Sequence, residues 1–193
     1  MADLPGAFAL DRRAGLPDAL KVLLAEHPRA GWAEDPGFAG LVQFWMERHA
    51  MFRELSGMLT DEARAAEAGR LDPARFAARL SRFGGLFVQE LHGHHLIEDH
   101  QYFPVLARLE PRIERGFALL DADHHALDPW LARLAERANA AIGAARADRG
   151  LADAAGPLAE DLGAFAPLLE RHLTDEEDLV VPVLLRHKGA GLG

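Results

Sequence analysis

Two pairs of an imidazole and a carboxylate at helical spacing carry the first chemical signal in this chain: His94-x-x-x-Glu98 and His172-x-x-x-Glu176. Residues four apart on a helix lie one above the other, with Cβ atoms about 5–6 Å apart, so each pair can converge on one point. Prolines follow both pairs at the same distance, Pro104 and Pro182, and the two sets are offset by 78 residues. Lone histidines precede them, His49 by 45 residues and His124 by 48, each within a stretch whose apolar pattern turns it inward. Four nitrogens and two carboxylates from four helices could enclose two cations, with Glu98 and Glu176 bridging and the histidines capping one ion each. Such a set leaves coordination positions open for dioxygen, peroxide or nitric oxide beside a redox-active metal. Imidazole with carboxylate suits iron, and zinc or manganese also accepts it. The competing reading is a metal-free bundle, but two unpaired core carboxylates would each cost several kcal/mol, and a bound cation removes that cost.

Two histidine doublets, His94-His95 and His124-His125, require a choice. The repeat aligns His94 with His172 and His95 with Leu173, while the apolar stripe of the third helix passes through His124. His95 and His125 are therefore expected outside the ligand set, behind it or at the surface, with Asp99 beside His95 at helical spacing. Tyr102, four residues after Glu98, and Asp128, four after His124, are candidates for an extra or supporting ligand. Each has an ordinary alternative: a packed tyrosine with a satisfied hydroxyl, and an N-cap in front of Pro129. His27, His92, His100 and His187 are expected in solvent.

The elements that must position these groups are helical throughout. Residues 1–36, with Pro5, Pro17, Pro28 and Pro36, read as an irregular arm carrying one short helix from about Pro17 to His27 and packing across one end of a bundle. Leu41, Val42, Trp45, Phe52 and Leu55 mark a first long helix, expected to end near Met58, with Thr60-Asp61-Glu62 opening another stretch. Asp72-Pro73 reads as an N-cap followed by proline at the first helical position, leading a second helix to about Leu109. Pro111 opens the third, which Pro129 should kink or break. A fourth is expected after the Ala-Gly-Asp-rich stretch 143–156 and should run to about His187. The expected fold class is an all-α, up-down-up-down four-helix bundle over residues 37–188, followed by a flexible tail over 189–193.

At 193 residues and about half apolar, the chain can bury a core without staples. It contains no cysteine, which excludes thiolate metal sites, disulfides and thiol nucleophiles. A net charge of −9 with scattered basic residues argues against nucleic acid as a partner. No run approaches the ~20 apolar residues of a membrane span and no leader pattern opens the chain, so a cytoplasmic location is expected. A homodimer or a separate protein partner stays open, although no exposed heptad seam supports the first.

The segments His94-His95-Leu96-Ile97-Glu98-Asp99 with Phe103-Pro104, Asp123-His124-His125-Ala126-Leu127, and His172-Leu173-Thr174-Asp175-Glu176-Glu177 resemble the hemerythrin-like, or HHE cation-binding, family. With His49 they cover about residues 38–187. The resemblance implies a four-helix bundle with two iron ions, oxo- or hydroxo-bridged, on His49, His94, Glu98, His124, His172 and Glu176. It departs at one position: oxygen-carrying members have a second histidine four residues after that of the third helix, where this chain has Asp128. That departure argues against reversible oxygen carriage and leaves three readings. One is a module binding dioxygen or a related small ligand in sensing, storage or scavenging. The second is an enzyme reducing or disproportionating peroxide or reducing nitric oxide. The third is a bundle that metal merely supports.

Overall fold

The computed structural model describes residues 8–188, so the expected tail and the first seven residues of the arm lie outside it. Among the described residues every regular element is helical. In the arm, a 3-10 turn over Asp18–Leu20, a short helix α1 over Val22–Glu26 and a second 3-10 turn over Arg29–Gly31 stand where one short helix is expected.

The first long helix, α2, spans Leu41–Glu67 and passes the expected end at Met58. Thr60 opens nothing: its hydroxyl donates to the Ser56 carbonyl one turn back at 2.7 Å, inside the helix. The alanine-rich stretch beyond it favours continuation, and the chain leaves the helix at Gly69, whose φ of 67° suits a residue without Cβ.

The second helical run carries two π turns. It comprises α3 (Pro73–Arg79), a π turn over Leu80–Gly84, α4 (Gly85–Ile97), a π turn over Glu98–Tyr102 and α5 (Phe103–Leu109). Asp72 caps it as expected, its carboxylate accepting from the Arg75 amide at 2.7 Å. Asp72→Ala should lower stability by about 1 kcal/mol. That is read as a lower urea midpoint at unchanged denaturant slope. Proline has no N–H to offer and crowds the preceding turn, and just before Pro104 the Phe103 amide bonds back to the Glu98 carbonyl, five residues away. The extra residue in that turn changes which side chains face inward after Glu98.

The third helix, α6, runs from Glu114 to Arg146 without a break at Pro129. Asp128 is therefore no N-cap; it lies half exposed with its carboxylate 3.4 Å from His92 Nδ1. The turn that follows uses Asp148 at φ 50° and Gly150 at φ 67°. Helix α7 then spans Leu151–His187, starting earlier than expected because Ala152, Ala154 and Ala155 are good helix formers, so the loop within the stretch narrows to residues 147–150.

The chain divides into two compact units whose boundaries fall inside helices. One is built from the arm and α2 up to Ala50, His95–Ala126, and the chain from Glu170 on; the other from Met51–His94 and Leu127–Leu169. The first unit's apolar core combines Leu16, Leu20, Leu23 and Trp32 of the arm with Trp45, Phe103, Leu106, Phe117, Leu120 and residues 179–185. Each such fully buried side chain contributes about 1.5–3 kcal/mol, which is what holds the arm down. The second unit is an apolar core, with the Phe165 ring edge-on to Phe87 at 6.1 Å. Its buried polar side chains are the uncharged Ser56 and Thr60, whereas every buried charged or imidazole side chain among the described residues lies in the first unit.

Candidate metal centre

Two groups of metal-ligating side chains form. His95, His124 and His172 make one; His49, Glu98 and Glu176 make the other, and His94 sits four residues before Glu98 on the same helical run. Within each group the ligand atoms lie within 4.8 Å of one another. All are buried except His94, which is half-buried with its ring 5.2 Å from that of Phe52.

The two carboxylates reach both groups. Glu176 places Oε1 3.3 Å from His49 Nε2 and Oε2 3.3 Å from His172 Nε2, and Glu98 Oε2 lies 3.5 Å from His124 Nε2. Trp45 Nε1 donates to Glu176 Oε1 at 2.5 Å and fixes that carboxylate's orientation.

Three imidazoles share one arrangement, with Nε2 inward and Nδ1 against a carboxylate. His49 Nδ1 lies 3.1 Å from Glu177, His124 Nδ1 2.8 Å from Asp99, and His172 Nδ1 3.3 Å from Asp123. A carboxylate on the outer nitrogen sets the tautomer, orients the ring and raises the basicity of the inner nitrogen, as in metal sites generally. The inner nitrogens of His124 and His172 are buried and face the Glu98 and Glu176 carboxylates, at 3.5 and 3.3 Å. A cation at that point would satisfy them, so the donor set fits a metal ion.

The electrostatics of the metal-free protein follow from the same contacts. Burial, with Glu176 alongside, pushes the Glu98 carboxyl well above the usual carboxylate range. Burial disfavours charge on His172, but the hydrogen bonds to Asp123 and Glu176 outweigh it and raise the imidazole to about 9. His49 is also raised, because Glu176 and Glu177 outweigh its burial, whereas burial lowers His124 in spite of Asp99. Positive imidazoles thus balance the carboxylates where a cation would otherwise do so, and metal binding would release those protons.

His95, expected behind the ligand set or at the surface, lies within the group of three histidines. It is 2% exposed, stacks on the His124 ring at 4.0 Å between centroids and meets His172 edge-on at 5.2 Å. The repeat contained the signal, since its counterpart Leu173 is itself fully buried and an aligned position is an inward one. His125 is exposed, its Nδ1 on the Asp121 carbonyl. Tyr102 is half-buried against Trp45, ring centroids 5.0 Å apart. Asp123, Glu177 and the two arginines behind them, Arg13 and Arg29, had no local signature. Their partners are distant in the chain, and Asp123 and Glu177 merely adjoin a candidate ligand, which on a helix says nothing about direction.

No helix among the described residues is long and apolar enough to cross a membrane. Neither the curated proteins nor the solved structures contain a match to the chain. The model of the hemerythrin HHE cation-binding domain matches residues 40–184, a span that contains every member of both ligand groups. With most of its length matched and its buried histidines and glutamates gathered as a cation site requires, the chain belongs to the hemerythrin HHE cation-binding domain family.

Proposed function

We propose that this protein is a non-haem dimetal protein, with two iron ions as the resident metal, that binds dioxygen or a related small ligand in redox sensing, storage or scavenging. The observation that carries the reading is that Glu98 and Glu176 each lie between the two histidine groups. His95, His124 and His172 would hold one ion, His49 and His94 the other, with both carboxylates shared. That count gives five and four protein donors, so six-coordinate ions would keep positions open. When bound, the metal pair supplies reversible electron transfer and those open positions. The protein's own residues orient Glu176 through Trp45, hold three imidazoles by their outer nitrogens and exclude bulk water by burial. We take the four long helical runs to form an up-down-up-down bundle over residues 37–188, and we place the protein in the cytoplasm.

The test is elemental analysis with absorption spectroscopy on protein purified without oxygen and then exposed to air. About two irons per chain, with a charge-transfer band that develops in air and reverses on reduction, is the expected result. One metal or none per chain after iron reconstitution would sink the dimetal reading. Sustained consumption of peroxide or nitric oxide with an external reductant would move the protein to the enzymes.

A further inference from the structure

Behind the centre, the carboxylates that hold two of the imidazoles are themselves held by the arm. Arg13, with its side chain 2% exposed, spans Asp123 and Asp175: Nη1 donates to Asp123 Oδ1 at 2.7 Å, Nη2 pairs with Asp123 Oδ2, and Nε donates to Asp175 Oδ2 at 2.7 Å. Arg29 donates from Nη1 to Glu177 Oε2 at 2.9 Å, from Nε to Asp178 at 2.6 Å and from Nη2 to the Thr174 carbonyl at 3.0 Å. Glu177 in turn faces His49, and Asp123 faces His172. A continuous chain therefore runs Arg29, Glu177, His49, Glu176, His172, Asp123, Arg13, with both ends on the arm and Glu176 in the middle. The third imidazole differs, since Asp99 behind His124 has no arginine of the arm upon it among the contacts of the described residues.

We propose that Arg13 and Arg29, both outside the span matched by the family model, are positioning residues for the metal centre, acting on Glu176 from two sides through His49 and His172. The inference rests on the dimetal reading above. A buried carboxylate that must orient an imidazole needs a counter-charge to stay ionised and a directional partner to stay in place, and a guanidinium fork supplies both. Leu16, Leu20, Leu23 and Trp32 anchor the arm in the core, so the two arginines are presented from a fixed frame rather than from a free end. The arm is thus an added layer of the site itself. Its removal or displacement would loosen the ligands without touching any of them.

The experiment is a titration of the metal-free 193-residue chain with cobalt(II), following the ligand-field absorption and the melting temperature before and after loading. Arg13→Gln and Arg29→Gln should each weaken cobalt binding by about 10- to 100-fold, the usual effect of losing an outer partner of a metal ligand. Each should also shift the ligand-field bands of the saturated protein. Arg29→Lys, which keeps the charge but not the fork, should restore part of the affinity, and Arg137→Gln, which breaks a surface pair with Asp161, should leave both readouts as in the wild type. Unchanged affinity and bands in both glutamine variants, with two ions bound by the wild type, would overturn the inference and leave the dimetal reading standing. So would a lower metal-free melting temperature with unchanged bands at saturation, because a merely structural role predicts that pattern. A wild type that binds no cobalt would remove both. If Arg13→Gln fails to fold by circular dichroism, the comparison of Arg29→Gln with Arg29→Lys decides, since Arg29 is 40% exposed and fills no core position.

Discussion

With both sites loaded, iron should raise the melting temperature of the chain by about 16–32 °C at a free metal concentration ~1,000-fold above Kd, and Glu98→Gln should remove most of that rise. Metal that binds only the folded state adds about 4 kcal/mol per site at this excess, and a domain of this size gains about 2–4 °C per kcal/mol. Glutamine keeps the shape of Glu98 but not the charge that reaches both ligand groups. The same substitution should raise the melting temperature of the metal-free protein at pH 7. Glu98 has its carboxyl pushed up by burial and by Glu176, so what it contributes to folding is fully present only below the ordinary carboxyl pKa of about 4.3 and is lost as pH rises through the raised value. Near neutral pH it therefore costs stability unless a cation is present, and glutamine abolishes that pH dependence. Function and metal-free stability are opposed at this one position, as is common where a site stores unfavourable charge. Differential scanning calorimetry with and without metal at pH 5 and pH 7 checks both halves. A glutamine variant that loads like the wild type, or melts lower without metal, would refute the assignment of Glu98.

Asp123→Ala should be the most destabilising change among the groups behind the metal-facing residues, by about 3 kcal/mol. Arg13 would stay buried with much of its fork unmatched, keeping Asp175 and the Phe8 carbonyl, and His172 would lose the acceptor that holds its outer nitrogen. Asp123→Asn keeps an acceptor in place and should cost less. The double replacement Arg13→Met/Asp123→Leu should recover most of the loss, because removing both charges leaves neither one stranded, and the coupling is read from the double-mutant cycle in urea. The sign with pH is the reverse of that for Glu98. Burial alone would raise Asp123, but Arg13 and His172 outweigh it and hold the carboxyl below its ordinary range. Its stabilisation is present above the unfolded pKa and lost as pH falls through the folded one, so the gap between wild type and Asp123→Ala should narrow in acid. A gap that stays constant from pH 7 to pH 3 would show that the carboxylate's charge is not what stabilises the fold.

The amino-acid sequence by itself determined the helical class, the family and the residues around which the ligand groups form, because these depend on local periodicity and on side chains spaced by one helical turn. The offset of His94 and Glu98 from His172 and Glu176 is a statement about spacing along the chain, and it survives whatever the tertiary packing does. Local signals sufficed for the cap at Asp72 too, where a carboxylate and a proline adjoin the helix they start. They misled at Thr60, at Pro129 and over the stretch 143–156, where residues that favour caps or breaks sit within helices sustained by burial on their neighbours' inner face. Only the tertiary structure shows where the second histidine of the first doublet lies: the place of His94 follows from its spacing to Glu98, whereas the burial of His95 depends on His124 and His172 lying beside it. The same holds for Arg13, which meets Asp123 and Asp175 from 110 and 162 residues away, and for Arg29 on Glu177. Charge pairs of that kind leave no period in the chain, since their geometry is set by how the arm's leucines and Trp32 dock in the core, and that docking is a sum of many non-local contacts rather than a pattern along the sequence.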